Sequence, residues 1–203
     1  MPSESNIVII IPAAGASRRI GSPKQLLKWG DSTLISHAID IAEELGQKEI
    51  VLVLGAYYDK IKAEIDNRSI RTLKNEDWEN GLGSSIAAGV EYLVKSLDTC
   101  DAVLILLPDQ PLIVPFYLKT MIDKFKVGEN QIIATKYGSG KYGVPALFDK
   151  KYFEKLRGLT DDRGAQELIK QSAKFVTTVD INPLISDIDT EEDYKKIYKA
   201  NHQ

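Results

Sequence analysis

Arg19 and Lys24 flank a run of small residues, Ala13-Ala14-Gly15-Ala16-Ser17, and that combination suits an anion. Small side chains let several backbone N–H groups approach a phosphate, while a guanidinium and an ammonium add charge-assisted hydrogen bonds. The run follows Ile7 to Ile11, five β-branched apolar residues that can bury both faces of a central parallel strand. Pro12 ends that strand because it has no N–H for the ladder. Two familiar phosphate loops are excluded by spacing. A Walker A loop needs Gly-x-x-x-x-Gly-Lys-Ser/Thr, whereas the next glycine after Gly15 is Gly21, with Lys24 three residues beyond it. The dinucleotide loop Gly-x-Gly-x-x-Gly would need glycine at position 17, which is Ser17.

Carboxylates supply the second part of such chemistry. Val103 to Leu107 reads as a fully buried strand, and Asp109 stands just past its carboxyl end, the edge at which open α/β sheets bind ligands. A carboxylate there suits Mg²⁺, which takes hard oxygen ligands and completes its shell with water and phosphate. Pro108-Asp109-Gln110-Pro111 is equally consistent with a structural turn. Asp187 and Asp189 alternate along an extended segment and so face one side. Thr190 and Asp193 read as a capping box with Asp in place of Glu, which leaves those two aspartates unexplained by capping. Gly83-Ser84-Ser85 opens another helix, where free N–H groups serve either an anion or a plain serine cap.

The elements that must position these residues follow from hydrophobic spacing. Leu34, Ala38, Ile41, Ala42 and Leu45 form the apolar stripe of a helix, and Ile86, Val90, Leu93, Val94 and Leu97 form another. Leu118, Met121, Ile122 and Phe125 mark a third. Ile50 to Leu54, Ile70 to Leu73 and Gln131 to Thr135 read as strands, with a polar helix from Tyr57 to Ile65. Strands alternating with helices predict a three-layer, Rossmann-like α/β sandwich with a mainly parallel sheet, in one domain over residues 1–203. Tyr137 to Phe148 interrupts the pattern with Gly138, Gly140 and Gly143, as where backbone lies against a ligand or in a simple hairpin. His37, one position off its stripe, reads as a half-exposed helix residue.

Composition narrows the partners. The formal net charge of -3, with basic and acidic residues interspersed, argues against a nucleic-acid surface. Cys100 is the single cysteine, so no intrachain disulfide forms and a free structural thiol is expected. No apolar run reaches the roughly 18 residues of a membrane span, and Met-Pro-Ser-Glu-Ser-Asn is too weakly basic for a signal peptide. A cytoplasmic protein is expected.

Ala-Ala-Gly-x-Ser-x-Arg-x-Gly-x-Pro-Lys after a first strand resembles the nucleotidyltransferases with a nucleotide-diphospho-sugar-transferase fold, and among them the molybdenum cofactor cytidylyltransferases. Asn-x-Asp-Trp-x-x-Gly-x-x-Ser-Ser at positions 75–85 and Gly-Val-Pro-Ala-Leu-Phe at 143–148 match that family, and the likeness runs from Ile9 to about Tyr194. The family's Gly-Asp-x-Gly-Ala-Arg is matched at Asp162, Gly164 and Ala165, whereas Asp161 replaces its Gly and Gln166 its Arg, a loss for which Arg163 could compensate. Pro108 stands where the family has Cys, and Glu191 where it has Pro. The resemblance implies that Ala13, Ala14, Gly15, Ser17, Arg19, Lys24, Gly83, Ser84 and Ser85 meet the nucleotide. It places Mg²⁺ on Asp109 with Asp189, or Asp187, as second ligand, and the acceptor pterin beside Gly143, Val144, Pro145, Asp162, Arg163 and Gly164. The implied reaction passes a cytidylyl group from CTP to the phosphate of a molybdopterin-type cofactor, with Arg19, Lys24 and Asp109 as catalytic groups. A molybdenum-hydroxylase-type enzyme would receive the product. Cytidine rather than guanosine rests on Pro12-Ala13-Ala14-Gly15, where guanylyltransferases read Leu-Ala-Gly-Gly. A sugar-phosphate nucleotidyltransferase, a non-catalytic cofactor carrier and an oxidoreductase domain are the alternatives.

Overall fold

The computed structural model describes residues 5–97, 99–138, 140–180 and 187–202. Ser139 of the glycine-rich segment and the first four residues, Met1 to Glu4, lie outside them. In chain order the elements are β1 (Ile7–Pro12), β2 (Lys28–Trp29), β3 (Ser32–Thr33), α1 (Leu34–Glu43), β4 (Glu49–Leu54), α2 (Tyr58–Glu64), β5 (Arg71–Lys74) and α3 (Leu82–Ser96). They continue with β6 (Ala102–Ile105), α4 (Pro115–Lys124), β7 (Ile132–Lys136), β8 (Tyr142–Asp149), α5 (Phe153–Arg157), α6 (Gln166–Gln171), β9 (Val176–Asp180) and α7 (Glu191–His202).

The β-branched first strand is central, as its composition requires: all six residues of β1 are buried, and the seven-stranded sheet runs β5-β4-β1-β6-β8-β7-β9. Its pairs are parallel except for β8, which runs antiparallel to both β6 and β7. Strand alternation divides the core. Ile9, Ile11, Leu52 and Leu104 pack with Ile35 and Ile39 of α1 and Leu118 and Met121 of α4. Val8, Ile10, Val51 and Val103 pack on the other face with Ile86 and Val90 of α3 and with Leu156, Leu168 and Ile169. The three-layer sandwich is therefore present.

Two local differences bear on the site. The strand expected over Val103 to Leu107 ends at Ile105, where its pairing with Ala146 of β8 stops. Leu106 still donates to the Ile10 carbonyl at 3.0 Å, so the chain runs on toward Asp109 along β1 alone. The glycine-rich segment is a hairpin joining β7 and β8, closed by Tyr137 N–H to Lys141 O at 2.9 Å and Gly140 N–H to Tyr137 O at 2.8 Å. A third cluster, formed by Trp29, Leu34, Ile188 and Ile197, docks α7 on the small β2–β3 ribbon. Through Ile188 that docking brings the segment bearing Asp187 and Asp189 to the carboxyl edge of the sheet. Among the described residues no helix is long and apolar enough to cross a membrane.

Candidate active site

The small-residue loop leaves β1 and stays tied to β4. Ala13 N–H donates to Val53 O at 2.8 Å, and Ala56 N–H donates to Ala14 O at 3.0 Å. Gln25, only 2% exposed, donates from Nε2 to the carbonyls of Ala13 and Gly15 at 2.9 and 3.0 Å. Ser17 takes the left-handed φ of 52°, uncommon for a residue with a Cβ, and its Oγ accepts the Lys24 N–H at 3.1 Å. These contacts turn the chain tightly enough to set Arg19 and Lys24 beside the same anion-sized space. Gln25 escapes a sequence reading. Its one signal is a polar residue between Lys24 and the apolar pair Leu26-Leu27.

The charges meet at the sheet edge. Lys24 Nζ donates to Asp109 Oδ2, lies 3.3 Å from the Ile188 carbonyl and 3.8 Å from Asp189 Oδ1. Arg19 holds Asp189 with its two terminal nitrogens at 3.2 and 3.3 Å. Asp109 is held in turn by its backbone, whose carbonyl accepts Ile188 N–H at 2.9 Å. His37 donates from Nε2 to Pro111 O at 2.9 Å, bracing the same turn, a role that its place beside a helix stripe did not disclose.

A cavity of about 590 Å³ opens over this cluster, lined by Ala13, Ala14, Gly15, Ser17, Arg19, Lys24, Ser85, Asp109 and Asp189 together with Trp78 and Asp162. A second, of about 270 Å³, is lined by Gln110, Tyr137, Tyr142, Gly143, Val144, Arg163 and Asp187. Leu82 and Leu107 belong to both walls, so the two spaces adjoin.

Several expected residues stand elsewhere. Gly83 and Ser84, expected at the nucleotide, are not on the cavity wall. Gly83 N–H donates to Asp161 O at 2.8 Å, and a Cβ there would come within 2.7 Å of that oxygen. Ser84 Oγ lies 2.9 and 2.8 Å from the Asp77 and Gly81 carbonyls and accepts from Asn75 at 3.0 Å. Both residues hold the 159–164 and 75–81 loops against the start of α3. Pro145 and Gly164 also stand outside the lining of the second cavity, and Asp162 faces the first.

Of the two aspartates expected as alternatives for the second metal ligand, Asp189 lines the same cavity as Asp109 and Asp187 does not. Asp187 lines the second cavity and accepts a 2.8 Å hydrogen bond from Gln110, whereas Asp189 lines the first. Although Asp187 is exposed as a residue, burial of its carboxyl end, followed by the charges of Asp109 and Asp189, raises its pKa against the lowering hydrogen bond from Gln110. Among the described residues no three carboxylates, histidines or cysteines converge as a metal cage. Asp109 and Asp189 nevertheless fit a magnesium-type ion, which is held by one or two carboxylates plus substrate phosphate. Asp109 Oδ1 is buried without a hydrogen-bond partner, and Lys24 already rests a cation on the other oxygen.

A mainly parallel sheet with a small-residue loop after its first strand, and carboxylates beside that loop, defines a nucleotidyltransferase-type α/β protein. The chain belongs to the family of MobA-like NTP transferase domains, whose family model matches residues 9–175. Rv0371c of Mycobacterium tuberculosis H37Rv has a similar structure, with a TM-score of 0.83 and 26% identity over 97% of this chain and 100% of that one. The structure of that protein in complex with manganese aligns with a TM-score of 0.79 at 25% identity, again over 97% and 100% of the two chains. Nicotine blue oxidoreductase of Paenarthrobacter nicotinovorans is 36% identical over 103 residues, which is 50% of this chain and 48% of that protein. The chain thus spans about half of that relative's length.

Proposed function

We propose that this protein is a divalent-metal-dependent nucleotidyltransferase that passes the cytidylyl group of CTP to the phosphate of a molybdopterin-type cofactor and releases pyrophosphate. The observation that carries the reading is the pair of adjoining cavities, one of about 590 Å³ over the phosphate-type loop and one of about 270 Å³ beside it, with Asp109, Lys24 and Asp189 on the first and Asp187 on the second. Such an arrangement suits two substrates that react at a shared boundary.

Charge accounting supports a metal requirement. Arg19 and Lys24 oppose Asp109, Asp187 and Asp189, so these side chains together carry no positive excess for two phosphate-bearing substrates. Unit charges ~4 Å apart interact by ~4 kcal/mol at an effective dielectric of about 20, enough to stop the reaction if left uncompensated. A Mg²⁺ or Mn²⁺ ion, when bound, would supply Lewis-acid neutralisation of the phosphates. Asp109 and Asp189 would hold it, and Arg19 and Lys24 would turn to phosphate oxygens. In the transfer, an acceptor phosphate oxygen forms a bond to the α-phosphorus while the bond to the α–β bridging oxygen breaks, and the pair of electrons leaves with pyrophosphate. The acceptor phosphate is already ionised, so the chain's residues need only orient and shield it.

The preference for cytidine rests on Ala14, 3% exposed. Its methyl packs close to Gly55 and Trp78, where a Cβ on Gly55 would come within 2.8 Å of it, and Ala14 and Trp78 line the first cavity together. An oxidoreductase reading has one sequence feature in its favour, since Gly138, Gly140 and Gly143 do have the Gly-x-Gly-x-x-Gly spacing. They join antiparallel strands, however, whereas the dinucleotide loop must open a helix. A molybdenum-hydroxylase-type enzyme is the proposed recipient of the product.

The test is pyrophosphate release with Mg²⁺ and molybdenum cofactor, comparing CTP, GTP and ATP. Release with CTP alone is expected. Release with GTP would remove Ala14 as the selecting position, and release with sugar 1-phosphates in place of the cofactor would change the acceptor.

A further inference from the structure

Gln110 stands out within the second cavity. It is 3% exposed, yet it lines that space. Its Nε2 donates its two hydrogens to Asp187 Oδ1 at 2.8 Å and to the Tyr137 hydroxyl at 3.0 Å, and lies 3.3 Å from Val144 O. The carboxylate decides which way the amide faces, because turning the amide oxygen toward Asp187 would oppose two acceptors. Tyr137 reinforces the choice, since its own hydroxyl proton goes to Val144 O and leaves the phenol oxygen to accept from Gln110. Gln110 Oε1 is consequently buried with no partner. A buried carbonyl oxygen left in this state is an acceptor waiting for a donor.

The surroundings define what that donor belongs to. Asp187 adds a second acceptor next to Gln110, and Leu82, Leu107 and Tyr142 supply apolar surface on the same cavity. A neutral amide oxygen beside a carboxylate accepts hydrogens and offers none. Lys141 and Arg163 make part of this lining cationic, but the apolar surface of Leu82, Leu107 and Tyr142 favours a flat ring over a polyhydroxylated sugar where it meets the acceptor pair.

We propose that Gln110 Oε1 and the Asp187 carboxylate form an acceptor pair that selects the co-substrate, taking a planar heterocycle with neighbouring N–H donors on one edge, as on the aminopyrimidinone edge of a pterin. This rests on the reading of the second cavity as the acceptor subsite. It makes Gln110 a specificity-determining residue and moves Asp187 from metal binding to substrate recognition.

The experiment titrates the full-length protein with 6-hydroxymethylpterin and with 6-hydroxymethyllumazine, which carries oxygen in place of the 2-amino donor, following ligand fluorescence. Wild type is expected to prefer the pterin by about tenfold or more, because a site built around a donor rejects the analogue lacking it. Gln110→Met is expected to bring the two affinities within about twofold of each other. A bracing role alone would weaken both ligands equally and keep their ratio, which would overturn the inference. Asp187→Asn, close in shape, is the second variant and is expected to narrow the ratio as well; an unchanged ratio in both variants has the same negative meaning. Equal binding of the two ligands by wild type would reject the acceptor pair while leaving a pterin subsite in place. Binding of neither would reject the pterin reading and the inference with it.

Discussion

Asp109 sits where one carboxylate can serve two cations, with Oδ2 on Lys24 and Oδ1 buried and unpartnered. Asp109→Asn keeps the size of the side chain and removes the charge. The expected outcome is an unchanged circular-dichroism spectrum with metal-dependent turnover reduced by roughly 10²-fold or more, as for the loss of a principal electrostatic group. Full activity would take Asp109 out of the chemistry. Gln25 acts one step back, through its bonds to Ala13 O and Gly15 O. Gln25→Met is expected to cost about 1–3 kcal/mol of stability and to weaken nucleotide binding more than it slows the bound complex. Fluorescence of Trp78, which lines the first cavity, reads that binding, while Trp29 is buried beneath α7. At this scale the meeting of Arg19, Lys24 and Asp109 at one cavity was legible, because charge, small-residue spacing and position past a strand coincide, whereas Asp189 was set apart from Asp187 only by the family resemblance. Gln25, Gln110 and His37 were not, because each acts on a backbone carbonyl or a distant side chain whose proximity only the fold creates.

The elements carry the next level of the account. The capping box at α7 is formed as its sequence implies: Asp193 N–H donates to Thr190 Oγ1 at 3.1 Å, and Thr190 N–H donates to Asp193 Oδ2 at 2.9 Å. It fixes the helix start immediately after Asp189, so capping and site geometry are coupled. Thr190→Ala is expected to cost about 1 kcal/mol in urea denaturation and to reduce activity, with Thr190→Ser restoring both. Activity unchanged by Thr190→Ala would separate the cap from the site. The alternation of strands and helices was readable from hydrophobic period alone. The antiparallel insertion of β8 between β6 and β7 was not, since a strand's own residues do not state its direction.

For the whole molecule, Cys100 reports on the integrity of the fold. It is partly buried against the α3-side core, donates to Ala102 O at 3.3 Å, and burial pushes its thiol from 9.0 up to about 11. At pH 8 that leaves roughly hundredfold less thiolate than in the unfolded chain, so iodoacetamide should label the native protein slowly and the urea-unfolded protein quickly. The sign of the linkage follows: the native thiol keeps its proton where the unfolded one loses it, so this group's contribution to stability is full below pH 9 and is lost as pH rises toward 11. Rapid labelling of the native protein would contradict the packing described for this edge. The largest claim concerns the two adjoining cavities, and transfer between them is measured most directly with CTP labelled at the α-phosphate, Mg²⁺ and molybdenum cofactor. The account predicts that the label moves into a cofactor dinucleotide as unlabelled pyrophosphate appears. Label that stays with CTP, or emerges only as CMP, would contradict it.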